Sequence, residues 1–327
     1  MRTTLICLCV AILALALSAC GGDAATGDSP KTEFISIGTG SQTGVYYPTG
    51  SRIAELVNGG SDEHGVKASA ETSDGSVFNI NAVVNGKMEF GLAQSDRQFQ
   101  AVKGQAEWDG KPQDSLRAVC SLHPEVVHLV AVAEAADLAA LKGRKVSVGN
   151  AGSGQRQNAI DVLTSVGIDP ENDISAEGFT AAESPSMLQD GRIDAFFYTV
   201  GLGAAAITEA TTGTRQVRLL PIVGAESLLE KYPYFSATTI PAGTYPKAAD
   251  GDKDVPSVGM LTTLVTSTAV SDEVVYQVTK TIFSKLDELK AAHPALAGLE
   301  AKAMVSGLSA PIHAGAQRYF DEAGIQP

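Results

Sequence analysis

Short apolar runs alternate with longer amphipathic stretches along most of the chain. The runs Phe34–Ile37, Val66–Ala70 and Glu89–Leu92 predict strands. The stretches Tyr47–Val57 and Ser76–Val84 separate these runs and carry apolar residues at helical spacing. Strands that alternate with helices in this way are typical of a mainly parallel sheet. The first part of the chain therefore predicts an α/β fold.

The same alternation begins again further along. A strand at Lys145–Val148, a glycine-rich loop and a helix at Gln155–Val166 are predicted, followed by a strand at Ile193–Tyr198. Between the two blocks lies the apolar run Leu116–Val132, which predicts two buried strands where the chain passes between lobes. Two similar blocks predict two lobes that face one another across a ligand cleft.

The region after residue 223 is rich in turns and prolines. An amphipathic helix is then predicted from Ser271, as its N-cap, to Ala292. We expect residues 34–124 and 224–327 to form lobe 1, and residues 125–223 to form lobe 2.

The N-terminus has the features of a secretory leader. Arg2 is followed by an apolar run, residues 5–17, that is too short to span a bilayer comfortably. Small residues precede Cys20, as in bacterial lipoprotein signals, so we expect residues 1–19 to be removed and Cys20 to be lipidated. A plain signal peptide with an incidental cysteine is the alternative. Residues 20–33 would then form a lipidated, flexible linker.

The composition of the chain limits the classes of partner that it can bind. The 327-residue chain carries a formal net charge of −13, which disfavours nucleic acid and anionic lipid as partners. Only Cys120 remains after removal of the leader and lipidation of Cys20, so no intrachain disulfide is expected. We expect a monomer that is exported across the inner membrane and lipid-anchored in the periplasm or at the cell surface. Any site for an anion must be made by local groups.

The loop that follows the first strand is rich in glycine. Gly38, Gly40 and Gly44 give the spacing G-x-G-x-x-x-G, which does not fit the dinucleotide motif, and no Gly-Lys-Ser/Thr follows. Such a loop still exposes N–H groups at a helix start, which favour an anion. Gly40, Ser41, Tyr46 and Tyr47 are therefore candidate ligand contacts, with a structural turn and core tyrosines as the alternative.

A second loop, Gly149–Arg156, offers the same backbone donors. Ser153 and Gln155 are candidate contacts, and Arg156 either binds a carboxylate or lies on the surface. Ser153 does not lie in the G-x-S-x-G motif of a nucleophile. The start of another helix, at Ser76, adds a possible donor.

The strand end Gln94-Ser95-Asp96 should emerge where open α/β sheets bind ligands. Gln94 suits recognition, whereas Asp96 either holds an ammonium group or caps the next helix. Cys120, His123 and His128 do not have the spacing of a strong metal site, so we expect neither a metal nor a cofactor.

These motifs together are similar to those of the TAXI-type substrate-binding proteins of tripartite TRAP transporters. The segments that carry the resemblance are "IGTGSQTGVYYPTG", "GSVFN", "FGLAQSD", "LRAVCSLHPEVVHLVA", "LKGRKVSVGNAGSGQR", "GRIDAFFYTVG" and "SAPIHAGAQRYFDEAG". The resemblance covers nearly all of residues 33–325. It implies a two-lobed periplasmic-binding-protein fold, type II-like, with a mainly parallel sheet flanked by helices in each lobe. The ligand cleft lies between the lobes.

The resemblance also implies a function. Members of this family bind glutamate, 2-oxoglutarate and related acids, and they deliver solutes to a TRAP permease in the membrane. Family contacts fall here on seven residues: Gly40, Ser41, Tyr46, Tyr47, Gln94, Ser153 and Phe197. Gln155 replaces a common threonine, and the usual proline after the "DAFF" strand is absent, so the ligand can differ from glutamate.

We therefore expect a solute receptor for a small carboxylate and not an enzyme. The alternatives are the receptor of another importer, a ligand-sensing lipoprotein, or an enzyme built on the same bilobal fold. Neither glycine-rich loop contains a His, Lys or Cys that could act as base or nucleophile, which favours binding alone.

Overall fold

The computed structural model of the protein describes residues 32–326. The predicted signal peptide, Cys20 and nearly all of the predicted linker lie outside the described residues. Within the described range, one sheet of ten strands is flanked by helices, which confirms the predicted α/β class. None of the helices in residues 32–326 reaches both the length and the apolar character that a bilayer crossing requires.

The first block of the sheet contains three parallel strands, each followed by a helix. The strand that comes first in the chain lies between the other two. The apolar runs form the strands because they are buried on both faces by the amphipathic helices. The elements are β1 (Glu33–Gly38), α1 (Tyr46–Asn58), α2 (Ser61–His64), β2 (Val66–Glu71), α3 (Ser76–Val84), β3 (Phe90–Gln94) and α4 (Ser95–Lys103).

A long strand, β4 (Leu116–Val132), connects the first block with the second. The sequence predicted two strands here, but the structure has one. The second block repeats the plan of the first, with its first strand between the other two and its third strand antiparallel to β4. Its elements are β5 (Lys145–Ser147), α5 (Gly154–Ser165), β6 (Ser175–Glu177), α6 (Ser184–Gln189), β7 (Ala195–Val200) and α7 (Ala205–Thr212).

The remaining third of the chain returns across the sheet and then covers the first block. The predicted cap at Ser271 is confirmed, since its side chain accepts from the Val274 N–H, but the helix ends at Ser284. The elements are β8 (Val217–Leu219), α8 (Glu226–Lys231), β9 (Ser236–Ile240), β10 (Val255–Ser267), α9 (Asp272–Ser284), α10 (Leu286–Lys290) and α11 (Ala314–Ala323). Short 3-10 helices lie at Ala106–Trp108, Leu138–Leu141, Pro294–Leu296 and Ala303–Val305.

Strands β4 and β10 cross the centre of the molecule side by side. The full strand order is β2-β1-β3-β10-β4-β7-β5-β6, with β8 on β4 and β9 on β10. Pro124 has no N–H to donate, and it faces Leu261 just before the pairing with β10 shifts register. The strand can therefore continue through Pro124 as one element.

The buried clusters indicate how the chain divides into lobes. Phe235, Tyr245 and Val258 pack in the same cluster as Val146 and Phe196 of the second block. The sequence prediction assigned the chain from residue 224 onward to lobe 1. From this packing we propose a later boundary, within β10, as the point where the chain returns to lobe 1.

Candidate ligand-binding site

A cavity of about 230 Å³ lies between the two blocks of the sheet. Both blocks contribute to it, through loops that follow strands at the edge where parallel strands end. The β1–α1 and β5–α5 loops face each other across it, and β4 and β7 supply its floor. The lining residues are Gly40, Ser41, Gly44, Val45, Tyr46, Ser73, Asp74, Gly75, Ser76, Gln94, Glu125, Asn150, Ser153, Gly154, Gln155, Thr180, Ala181, Ala182, Tyr198, Thr199 and Val200.

Three helices begin at the cavity. Their first residues, Tyr46 of α1, Ser76 of α3 and Gly154 of α5, all line it. No side chain caps any of these three helix starts. An uncapped helix start presents unpaired N–H groups and the positive end of the helix dipole, although in α3 the Phe78 N–H is already paired with the Gly152 carbonyl oxygen. The cavity therefore offers local positive potential inside an acidic protein.

Ser153 shows this lack of capping most clearly. It occupies the N-cap position of α5, where a serine side chain usually accepts from the helix N–H groups. Its hydroxyl instead donates to the Asn150 carbonyl oxygen at 2.7 Å. The first N–H groups of α5 are thereby left for another acceptor.

Side chains from α1 and α3 meet over the floor of the cavity. The Tyr46 hydroxyl donates to Glu125 Oε2 at 3.2 Å and lies 3.4 Å from Ser76 Oγ. The Gln94 N–H donates to the same Ser76 oxygen at 3.2 Å. These bonds hold Tyr46 and Ser76 in place, so the polar surface is organised before any ligand arrives.

Glu125 is the principal charged group of the cavity. It projects from β4 and is only 2% exposed. Burial raises the pKa of its carboxyl to about 8, and the negative charge of Asp96 adds to the rise, while the Tyr46 hydrogen bond opposes it. Asp74, an exposed residue, is the other charged residue in the lining, and within the described chain no Lys or Arg lines the cavity.

Two buried side chains of the lining have unused hydrogen-bonding atoms. Gln94 Oε1 and Thr199 Oγ1 have no partner within the part of the chain that the structure describes. Gln94 is 2% exposed and Thr199 is 5% exposed, so water does not solvate them freely. Buried polar atoms of this kind are usually satisfied, and a bound solute would satisfy both.

The two blocks are in close contact around the cavity. The Phe78 N–H donates to the Gly152 carbonyl at 3.1 Å, and Asn150 Nδ2 donates to the Asp74 carbonyl at 3.2 Å. The Gln94 side chain packs directly on Gly154, where a Cβ atom would overlap Gln94 Oε1. These contacts hold the two blocks together beside the cavity, which stays partly open.

The structure brings seven of the ten predicted site residues into the lining. These are Gly40, Ser41, Tyr46, Ser76, Gln94, Ser153 and Gln155. Whether they contact a ligand stays a prediction.

The other three predicted residues, Tyr47, Arg156 and Phe197, lie outside the lining. Tyr47 is half-buried on α1, one position beyond Tyr46. The Arg156 guanidinium donates to the Gly149 carbonyl at 3.0 Å. Phe197 packs in the core of the second block, because it lies one residue before the end of β7 that lines the cavity.

The lining also includes residues that the sequence reasoning did not select. Tyr198 and Thr199 follow Phe197 on β7, while Asp74 and Asn150 precede helix starts. Glu125 could have been selected from the sequence, because it lies inside a long apolar run. Acidic residues are rarely buried without a structural or functional role. Asp96, one of the candidates for an ammonium group, is instead bound to Arg97 and Asn158.

Comparison with known proteins identifies solved structures with the same fold and the family of the chain. Solved structures with the same fold include a protein of Bordetella bronchiseptica RB50, with 15% identity, a TM-score of 0.52, and coverage of 89% of this chain and 98% of that one. A binding protein component of an ABC phosphonate transporter from Pseudomonas aeruginosa matches with 13% identity, a TM-score of 0.51, and coverage of 81% and 80%. Similarity at this level concerns the fold. The model of the NMT1-like family matches residues 37–324, and the chain therefore belongs to that family.

Proposed function

We propose that the protein is a solute receptor that encloses a small carboxylate between its two lobes and delivers it to a membrane transporter. The observation that carries this proposal is the convergence of three uncapped helix starts on one cavity. Backbone N–H groups and helix dipoles suit a carboxylate, and they bind it without a cationic side chain.

The carboxylate would bind differently from the way the sequence suggested. Arg156 was a candidate partner, but its guanidinium is engaged with a loop carbonyl. The start of α5 takes over that role in our proposal, with Gly154 and Gln155 at the cavity. Ser41 and Ser76 add hydroxyl groups from the opposite side.

Binding without chemistry fits the lining better than catalysis does. Within the described residues, the lining contains no His, Lys or Cys. The serines of the lining therefore have no such side chain beside them to accept a hydroxyl proton. The Ser153 hydroxyl already donates to a backbone carbonyl oxygen. Glu125 is the one group that favours an enzyme instead, because a buried carboxyl with a raised pKa can transfer protons.

A thermal-shift screen tests the proposal. The protein is heated with amino acids, 2-oxo acids, dicarboxylates and neutral sugars, and a ligand at about 100 times its Kd should add about 2.7 kcal/mol of stability. We expect stabilisation by a carboxylate that is recovered chemically unchanged after incubation. Stabilisation by neutral sugars alone would refute the carboxylate, and conversion of the solute would favour the enzyme.

The transporter is a separate part of the proposal. The resemblance to TAXI-type proteins favours delivery to a TRAP permease, with the receptor held at the membrane by lipid on Cys20. Uptake of the bound solute by cells should then depend on an ion gradient and not on ATP hydrolysis. Uptake that persists after the gradient is collapsed would favour the receptor of an ATP-driven importer.

A further inference from the structure

We infer that the solute carries a protonated amino group as well as a carboxylate, and that Glu125 is the residue that binds this ammonium and so selects amino acids over their 2-oxo counterparts. This inference rests on the proposed function, because it assigns the second end of the same ligand. The proposed function alone would allow an organic acid without an amino group to bind equally well.

The carboxyl of Glu125 has only neutral partners. It lies at the floor of the cavity and is 2% exposed, and its hydrogen-bonding neighbours Tyr46, Gln94 and Thr262 are all uncharged. A buried carboxylate is strongly disfavoured unless it is paired and hydrogen-bonded. The structure thus leaves the position of a cationic partner to be supplied from the cavity.

No neighbouring group can supply that positive charge. The titratable groups facing Glu125 are Tyr46 on α1, Asp96 on α4 and Tyr198 on β7, with His123 two positions earlier on β4; the neutral Gln94 and Thr262 side chains also bond to it. Burial raises the pKa of both tyrosines, so they are neutral donors. Burial lowers the pKa of His123 to about 3, so its ring is neutral too.

Asp96 is negative, and its own cation is already engaged. The Arg97 guanidinium bonds to Asp96 Oδ2 at 3.0 Å and to Glu107 at 3.1 Å. Arg97 is fully buried beside them and does not line the cavity. The ligand is therefore the one remaining source of a positive charge for Glu125.

The unpaired atoms of the lining complete an ammonium site. An ammonium group has three N–H donors. Gln94 Oε1 is a buried acceptor without a partner, and Thr199 Oγ1 is a second. Together with the Glu125 carboxylate they offer three acceptors within one small cavity, while the helix starts lie available for the carboxylate end.

Charge balance also favours an amino acid. Both charged residues of the lining, Asp74 and Glu125, are acidic. A 2-oxo dicarboxylate would bring only negative charge and would keep Glu125 protonated, whereas an amino acid brings a cation that is attracted to Asp74 and to the ionised Glu125. The helix starts would then offset the carboxylate of the ligand alone.

Calorimetric titration with matched pairs tests the inference. The pairs are L-glutamate with 2-oxoglutarate and L-alanine with pyruvate, each measured at about pH 7 in two buffers that differ in ionisation enthalpy. The amino acid of the preferred pair should bind at least about 30-fold more tightly than its 2-oxo counterpart. Its binding should release close to one proton, because the ammonium drives Glu125 to ionise.

Two variants sharpen the test. Glu125→Gln should weaken the amino acid at least about 30-fold, reduce the preference within the pair, and abolish the proton release. Glu288→Gln, an exposed acid outside the cavity lining, is the control and should change the affinity less than about threefold. The wild-type pair comparison and the proton count need no variant, so they hold even if Glu125→Gln folds poorly.

The outcomes separate the two proposals. Equal affinity for both members of each pair, with no proton released, would overturn the ammonium site and leave the carboxylate receptor standing. Tighter binding of the 2-oxo acid would do the same. Failure of every acid to bind would overturn the receptor proposal and this inference together.

Discussion

Two buried carboxyls lie at the interface of the lobes, and their surroundings differ. Asp96 is completely buried, and its Oδ2 accepts from Arg97 Nε at 3.2 Å, Arg97 Nη2 at 3.0 Å and Asn158 Nδ2 at 2.6 Å. Glu125 is almost as buried and has the Tyr46 hydroxyl at 3.2 Å. The protein gives the first carboxyl a cationic partner and the second only neutral ones.

The difference separates a structural group from a group that we propose binds the solute. Asp96 belongs to α4 and Asn158 to α5, so their bond ties the lobes together beside the cavity. Glu125 lies within the cavity, where a solute can reach it. Buried ionisable groups with a strongly shifted pKa cluster at functional sites, and Glu125 fits that pattern.

The largest expected effect follows from removing the charge of Asp96. Asp96→Asn leaves the buried Arg97 guanidinium with only the partly exposed Glu107 as an acidic partner. We expect the free energy of unfolding to fall by about 3–5 kcal/mol in a urea titration. Glu288→Gln, which removes an exposed ion pair with Arg52, is the control and should cost less than about 1 kcal/mol. If the two variants were equally stable, Asp96 would not be structural.

Unlike Asp96, Glu125 should lower the stability of the folded protein when it is ionised. The free energy of unfolding should therefore depend on pH. Its pKa in the folded protein is about 8, above the ordinary value of 4.5, so the folded state holds a proton that the unfolded state loses. The stabilisation is fully present below the unfolded pKa and is lost as the pH rises through the folded pKa.

The expected slope is roughly 1.4 kcal/mol per pH unit between the two values. Without ligand, the wild type should therefore lose up to about 3 kcal/mol relative to Glu125→Gln from about pH 5 to about pH 7.5. Urea titrations at both values measure this. A constant difference between the two proteins would show that Glu125 ionises normally.

Gly154 tests whether closure of the lobes creates the site that Glu125 completes. A Cβ at this position would overlap the Gln94 side chain from the other lobe. Gly154→Ala should therefore penalise the closed form and weaken solute binding about tenfold, which corresponds to about 1.4 kcal/mol. Gly298→Ala is the control, because a Cβ there meets no atom within 4 Å. Unchanged affinity in a folded Gly154→Ala protein would mean that closure does not depend on this contact.

The smallest expected effect concerns one hydrogen-bond donor to Glu125, the Tyr46 hydroxyl. Tyr46→Phe removes the hydroxyl that bonds to Glu125 and approaches Ser76. We expect solute affinity to fall about fivefold, corresponding to the roughly 1 kcal/mol of one hydrogen bond.

Arg156→Ala should change affinity less than about twofold, because that guanidinium faces a loop carbonyl. A larger loss for Arg156→Ala than for Tyr46→Phe would place the arginine on the ligand.

Local sequence patterns predicted the fold correctly where strands and helices alternate regularly along the chain. The strands and helices of the first block appear within a few residues of their predicted bounds, because apolar runs and amphipathic stretches alternate there. Strand β10 was not predicted, since Pro256 and Gly259 resemble turn residues. Its place in the sheet depends on pairing with β3, β4 and β9, which no local pattern contains.

The candidate site was predictable where it consists of loops and helix starts. The glycine loops predicted Gly40, Ser41 and Ser153, which line the cavity. The prediction of Phe197 was displaced by one position because only the last residues of β7 reach the cavity, and which residues those are depends on the pairing of β7 with β4. Arg156 could not be assigned from the sequence, since a side chain of that length reaches either the loop or the ligand.

The most direct test of the central claim is a crystal structure of the protein with the solute that stabilises it most. We predict electron density for one small acid in the cavity between the lobes, with its carboxylate at the start of α5 and an ammonium group against Glu125. A solute bound elsewhere, or bound in the cavity with no group facing Glu125, would contradict this account.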